Sequence, residues 1–320
     1  MKLEDIGFYT LSDARAASSS EFSPLSRCEL ILTDRCNFKC PYCRGVKEEY
    51  HGDMPKERAF EIVESWVSHG LKNIRFSGGE PTYYKYLMDL VLIARRSCEH
   101  IAISTNGTAP IEMYESLIKY GVNDFSISLD ACCSSTAETM SGGVADFDEI
   151  CNTIMELSHK TYVTVGVVLT PDNIKETGEI IKLADFLGGS DVRIIPAAQW
   201  KVGLELFEID KKILDRYPIL EYRYNNLKNG ISVRGLSESD NHGCPLVLDD
   251  MAVIGDDHYP CVIYLREQGK PIGKFSDISQ VRAERANWFE SHDVYEDPIC
   301  RSSCLDVCRD YGNKWRELHG

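Results

Sequence analysis

No long apolar run exists in this sequence. Nothing approaches the roughly 18 consecutive apolar residues of a bilayer span, and the opening "MKLEDIGFYTLSDARAASSSEFSPLSR" has no apolar core of signal-peptide length. A cytoplasmic protein with no membrane partner is therefore expected. Positive charge is also scarce. Lys and Arg total 35 against 50 Asp and Glu, a formal net charge of −15. Binding nucleic acid needs basic surface, so it is not an expected partner. There is no internal repeat, and no low-complexity tract beyond "ASSSE".

What is plentiful is core-forming material and cysteine. Hydrophobic residues make up 43% of 320 positions and charged residues 27%. That suits one large domain, or one domain with a smaller appendage, and not a disordered chain. The cysteines number thirteen. A reducing compartment disfavours disulfides, which leaves metal or cluster ligation as their main use. The odd count gives at least one cysteine another task.

Strand and helix signals alternate along the first two-thirds. Short apolar runs at 28–33, 73–79, 100–107, 122–130, 162–170 and 191–197 have strand length. Helical spacing falls between them, over 55–70, 83–97, 110–120, 146–159 and 173–187. Six β/α steps by about residue 225 predict a parallel sheet with right-handed crossovers, either open or a partial barrel. The pattern then changes. "MAVIG" and "HYPCVIY" predict a hairpin, a helical stretch follows near 276–291, and "CRSSCLDVC" gathers cysteines at 300–308. The expected division is an arm over 1–27, a main domain over 28–225 and a small α+β domain over 226–320.

Within "ILTDRCNFKCPYCRG" (31–45), Cys36, Cys40 and Cys43 have the spacing C-x3-C-x2-C. A structural zinc closes with four ligands, yet no fourth Cys or His is near; the nearest His is His51. Three thiolates on a [4Fe–4S] cluster leave one iron open to bind and reduce a ligand. The spacing, with Tyr42 before the last cysteine and the loop behind the first strand, resembles the signature of the radical S-adenosylmethionine (radical SAM) enzymes. A second motif, "FSGGEPT", brings Gly78, Gly79, Glu80 and Pro81 to the end of the second strand. Glycines there allow close backbone approach, and the resemblance implies that this segment contacts the methionine amino group of SAM. It further implies SAM contacts for Ser104, Asn106, Ser128 and Asp130, at the ends of strands three and four. Ends of this kind carry the active sites of parallel barrels. Ordinary strand-end capping is the alternative for each.

The fold so implied is a partial (β/α)6 TIM-type barrel. The implied chemistry is reductive cleavage of SAM to methionine and a 5′-deoxyadenosyl radical, which takes hydrogen from a substrate C–H. A flavodoxin or ferredoxin would supply the electron. Cys244, Cys261, Cys300, Cys304 and Cys308 resemble the SPASM and twitch extensions of the same enzymes, which carry auxiliary [4Fe–4S] clusters. Five cysteines suit one such cluster with a spare, and zinc is the alternative. Cys132 and Cys133, just past Asp130, are candidate hydrogen donors or substrate contacts, or plain loop residues. Cys28, Cys98 and Cys151 read as structural. Arg193, Gln199, Lys201 and Arg234 are weaker pocket candidates.

The resulting expectation is oxidation or rearrangement of a small polar metabolite. Peptide or protein maturation by crosslinking or epimerisation is the alternative, weakened by an arm shorter than a peptide-recognition module. Activation of a glycyl-radical enzyme ranks lower, because its additional clusters follow the first motif directly.

Overall fold

The computed structural model describes residues 13–200 and 208–320; Lys201 lies outside them. The chain forms two compact units that interleave along the sequence. One holds 36–43 and 102–233, the other 13–35, 44–101 and 234–320.

In the first unit, strands β3 (His100–Thr105), β4 (Asp124–Ser128), β5 (Tyr162–Leu169) and β6 (Asp191–Pro196) run side by side in chain order. Each neighbouring pair is parallel. Helices α4 (Ile111–Tyr120), α5 (Ser134–Ser141), α6 (Phe147–Ser158) and α7 (Thr177–Phe186) lie between the strands in sequence, followed by α8 (Lys211–Leu214) and α9 (Pro218–Lys228). The β5 strand is buried almost throughout, as a strand covered on both faces must be. Helix α6 starts where the Asp146 carboxylate accepts the Glu149 N–H at 3.0 Å, and it buries Ile150, Ile154 and Leu157 along one stripe.

In the second unit, β1 (Arg27–Ile31) pairs in parallel with β2 (Asn73–Ser77). Helix α2 (Lys56–Ser68) follows Pro55, which cannot donate and so suits a helix entry, and it buries Ala59, Ile62, Val63, Trp66 and Val67. Helix α3 (Leu87–Ala94) begins four residues later than the spacing suggested, because Pro81–Tyr83 forms a 3-10 turn first. The C-terminal segment does not build a separate sheet. Its strand β7 (Asp250–Ile254) pairs in parallel with β1, from Arg27↔Asp250 to Ile31↔Ile254. The expected hairpin exists as β7 with β8 (Asp257–Tyr259), and β9 (Gly273–Lys274) extends it. The second hairpin strand is shorter than "HYPCVIY" predicted. Pro260 offers no N–H to a ladder, and Cys261 instead caps helix α10 (Val262–Arg266), its sulfur accepting from the Tyr264 N–H at 3.4 Å. The predicted helix near 276–291 is α11 (Ile278–Ser291). Beyond it lie α12 (Pro298–Ser303) and α13 (Asp306–His319).

The arm contributes α1 (Asp13–Ser18), which closes this unit. Buried Arg15 pairs with Asp249, lies 5.5 Å from the centre of the Tyr311 ring, and Tyr311 donates to the same carboxylate at 3.0 Å. The fold class read from the sequence, α/β with parallel strands joined by helices, is the one observed. Among the described residues, no helix is long and apolar enough to cross a membrane.

Candidate functional site

The three-cysteine loop belongs to the first unit. Cys36 and Cys43 are exposed and Cys40 is half-buried. A turn closes the loop's second half, where the Cys43 N–H reaches the Cys40 carbonyl at 3.0 Å. The first half rests on the end of α5. The Lys39 N–H bonds the Ser141 carbonyl at 2.9 Å, and Gly142 (φ +77°) sits so close that a Cβ there would lie 2.4 Å from the Lys39 oxygen.

Two strand ends hold this loop by side chains. Asn106, past β3, donates to the Asn37 side chain at 2.7 Å and lies 3.9 Å from the Cys36 sulfur. Asp130, past β4, accepts from the Tyr42 hydroxyl and from the Val168 N–H at 2.5 Å. Burial pushes the Asp130 carboxyl up to about 6, against the opposing pull of those two bonds. Burial, then the Asp130 charge, push the Tyr42 phenol up as well. Gln199 adds a bond to the Tyr42 carbonyl at 2.6 Å. Asn106 and Asp130 thus orient the cysteine loop itself. Ser104 is half-buried in β3, and Ser128 ends β4 exposed. Arg193 bonds Ser126 at 3.1 Å.

Burial is also the main cause that pushes the Cys40 thiol up to about 12. A protonated thiol does not ligate, so loading this site must release protons. Among the described residues no three of the sulfurs of Cys36, Cys40 and Cys43 lie mutually within 4.8 Å. A single tetrahedral zinc holds thiolates about 3.8 Å apart, from its 2.3 Å bonds. The partly exposed set of three thiols, with no fourth Cys or His in the motif, fits a cluster with one open iron.

The Gly78–Pro81 motif lies in the second unit. Its glycines serve the protein's own backbone. A Cβ on Gly78 (φ +152°) would meet the Thr33 oxygen at 2.4 Å, and one on Gly79 would meet the Arg35 oxygen at 2.4 Å. Backbone bonds Gly79 N–H to Thr33 O (2.7 Å) and Glu80 N–H to Arg35 O (2.8 Å) lock the motif to the residues that lead into Cys36. Buried Glu80 accepts from the Thr82 N–H at 3.1 Å and its hydroxyl at 2.8 Å, capping the 3-10 turn.

A strap missed by sequence reasoning supports this motif from the same unit. Arg266, the last residue of α10, donates to the Gly45 carbonyl and, at 2.9 Å, to the Gly78 carbonyl. Gln268, at φ +62°, adopts a backbone unusual for a side-chain-bearing residue and reaches the Val46 carbonyl at 3.0 Å. Buried Lys47 returns a bond to the Gly269 carbonyl at 2.9 Å. Partners more than 180 positions apart leave no local sequence signal. If this motif binds SAM as the resemblance implies, Glu80→Ala, and Arg266→Ala through the Gly78 carbonyl it holds, should each weaken SAM binding, about tenfold for the loss of one charge-assisted bond, with iron content unchanged. Equal affinity in an equilibrium titration would remove that residue from the SAM site.

The structure brings all five C-terminal cysteines to one apolar cavity of about 50 Å³ in the second unit, with Tyr264 and Trp288 also in its wall. Cys244 precedes the 3-10 turn Pro245–Leu248, Cys261 caps α10, Cys300 lies in α12, Cys304 at its break, and Cys308 in the first turn of α13. The x3–x3 spacing therefore does not lie on one helix. It wraps a corner, which lets the sulfurs converge. Burial pushes Cys244 up to about 12 and raises Cys261 and Cys300 further. Cys304 and Cys308 share a hydrogen bond that raises the first and lowers the second. No three of the five sulfurs lie mutually within 4.8 Å among the described residues. Five thiols gathered on one apolar cavity are enough to ligate a cluster fully, with one to spare. Arg234 bonds the Ser303 carbonyl at 3.2 Å, a support to this corner. Cys28 is buried in β1, while Cys98 and Cys151 are half-buried.

Residues 30–184 match the Radical SAM superfamily. A GTP 3′,8-cyclase of Clostridium botulinum is 38% identical over 106 residues, 31% of this chain and 33% of that protein. One from Geobacter sulfurreducens is 35% identical over 113 residues, 33% of this chain and 35% of its own. The chain thus matches about a third of the length of these curated relatives. Among solved structures, SuiB of Streptococcus suis bound to precursor peptide SuiA covers 91% of this chain and 69% of its own, at TM-score 0.60 and 15% identity. Native anSMEcpe with bound AdoMet covers 92% and 95%, at TM-score 0.57 and 17% identity. At such identities the likeness is one of fold.

Proposed function

Since residues 30–184 match the Radical SAM superfamily, we propose that this enzyme holds its SAM-binding [4Fe–4S] cluster on Cys36, Cys40 and Cys43, and one auxiliary [4Fe–4S] cluster on four of Cys244, Cys261, Cys300, Cys304 and Cys308. Its reaction is the oxidation or rearrangement of a small polar substrate. The observation that carries this reading is the convergence of all five C-terminal cysteines on one apolar cavity. With SAM and both clusters bound, the chemistry supplied is one-electron cleavage of SAM and removal of a hydrogen atom from a substrate C–H.

The chain's own residues set the conditions for that chemistry. Asn106 and the Tyr42–Asp130 pair fix the three-cysteine loop, so its sulfurs are placed before a ligand arrives. Glu80 presents a buried carboxylate suited to an ammonium group such as that of methionine. The apolar wall around the five cysteines keeps water from the auxiliary site, and exclusion of water is one lever on cluster potential. A flavodoxin or ferredoxin supplies the electron.

A peptide substrate is the second reading. It is favoured by fold likeness over 91% of the chain to an enzyme solved with its precursor peptide. The test is anaerobic: reduced protein and SAM, assayed for 5′-deoxyadenosine, with the Cys261→Ala variant in parallel. Wild type should form the nucleoside, and Cys261→Ala should lose about four irons per chain while retaining some SAM cleavage. No 5′-deoxyadenosine from fully loaded wild type would overturn the catalytic reading. Unchanged iron in Cys261→Ala would overturn the assignment of Cys261. Small polar metabolites and peptides, offered separately, are told apart by which one increases nucleoside formation.

A further inference from the structure

The first unit contains a second group of soft ligands that neither cluster uses. Cys132 and Cys133 follow β4, and Glu176 ends the 3-10 turn Ile174–Glu176 after β5. One ligand atom from each lies within 4.8 Å of the other two. The Cys132 sulfur is 3.3 Å from one Glu176 oxygen. The other Glu176 oxygen accepts from the Thr136 hydroxyl at 2.9 Å. The Cys133 sulfur sits 3.3 Å from the Ser135 hydroxyl and 3.5 Å from that of Thr136.

These separations suit one small ion. Zinc bonds of 2.3 Å to thiolate and about 2.1 Å to carboxylate place the ligand atoms roughly 3.6–3.8 Å apart. The frame is also built in advance. Asn173 is fully buried and donates to the carbonyls of both Asp130 and Val168 at 2.8 Å, tying the two strand ends together. Its side-chain oxygen Oδ1 accepts from the Thr170 N–H at 2.8 Å, which holds the turn leading to Glu176. Thr136 orients the carboxylate in the way a hydrogen bond to a ligand fixes its geometry at metal centres. Two sulfurs and one oxygen suit a borderline-soft divalent ion.

We propose that Cys132, Cys133 and Glu176 bind one thiophilic divalent cation of the zinc class, with a fourth position left open for a donor group of the substrate. All three residues are partly exposed, so that position is reachable from solvent. On binding, the two S–H bonds give way to two sulfur–metal bonds, and any thiol protons pass to buffer with no change of oxidation state. The ion-bound thiolates carry no hydrogen atom to donate. This assignment therefore replaces the hydrogen-donor role for the pair, and it does not depend on SAM chemistry.

The test uses the full chain after anaerobic iron–sulfur reconstitution, with ZnCl2 as the probe. Wild type, the Cys132→Ser/Cys133→Ser double variant and Thr136→Val are equilibrated with zinc, desalted and assayed for zinc and iron. Wild type should retain about one more zinc per chain than the double variant at equal iron. Thr136→Val should bind zinc about tenfold more weakly. Independently, zinc should protect Cys132 and Cys133 of the wild type from alkylation, read by mass spectrometry. This second readout needs no variant, so a double variant that misfolds leaves the test intact. Unprotected cysteines in the wild type, or equal zinc in a folded double variant, would overturn the site.

Discussion

Changing Cys36, Cys40 and Cys43 together to alanine should abolish 5′-deoxyadenosine formation and lower iron from about 8 to about 4 per chain. The loss is complete because all three thiolate donors of the loop go at once. The Asn106 amide beside the Cys36 sulfur is itself bonded to Asn37 and Thr108, and Tyr42 is occupied by Asp130. The fold itself should survive. Two of the three side chains are exposed and one is half-buried, so their removal leaves no core cavity. A melting curve for the iron-free proteins should overlay wild type. Protons compete with iron at Cys40, whose thiol burial holds at about 12. Wild-type loading at limiting iron should accordingly fall as pH falls, since more protons must be displaced. Iron going from about 4 to about 0 in the triple variant would instead assign zinc or plain thiols to the C-terminal cysteines. Persistent 5′-deoxyadenosine from the triple variant would refute the placement of the first cluster.

The parts of this protein legible in its sequence are those whose chemistry is local. Three cysteines in eight positions and Gly-Gly-Glu-Pro at a strand end each declare themselves without a fold. Alternating apolar runs locate β1 to β6 within a few residues, because a buried parallel strand is apolar along its length. What could not be read depends on distance. Asn106 reaches Cys36 from 70 positions away, and Arg266 reaches Gly78 from 188. Glu176 meets Cys132 across 44. The two glycines were legible as a close approach, but the approaching group is the Thr33–Arg35 backbone. Residues 258–264 show the limit of propensity: β-branched and aromatic side chains read as strand, while one proline and one capping cysteine turn the chain into α10.

Arg285→Met should cost about 3–5 kcal/mol of stability, since each buried acceptor left without its donor costs about 1–3 kcal/mol, and should strip the auxiliary site. Arg285 is fully buried in α11, and its five N–H groups meet five acceptors. Nε donates to Val247 O at 2.7 Å. One terminal nitrogen reaches Tyr259 O at 3.0 Å and His258 Nδ1 at 3.3 Å. The other reaches Asp250 O, and Pro260 O at 3.2 Å. With Nδ1 accepting, the His258 proton sits on Nε2, 2.9 Å from Glu284. Burial and then Arg285 itself hold His258 down at about 4, so this imidazole is neutral at pH 7. Burial lowers Arg285 only to about 10, and it stays charged there. The carbonyls it gathers belong to the turn after Cys244, to the first residue of β7 and to the residues just before Cys261. Methionine fills the volume but orphans four carbonyls and a ring nitrogen, each a desolvation cost. Both cysteine-bearing segments then lose their common anchor. Iron should drop by about 4 per chain even below the melting transition, with the first cluster still able to cleave SAM. Arg285→Lys, with three donors for five acceptors, should fall between. Full iron and an unshifted melting temperature in Arg285→Met would show that the two segments hold their places without this residue.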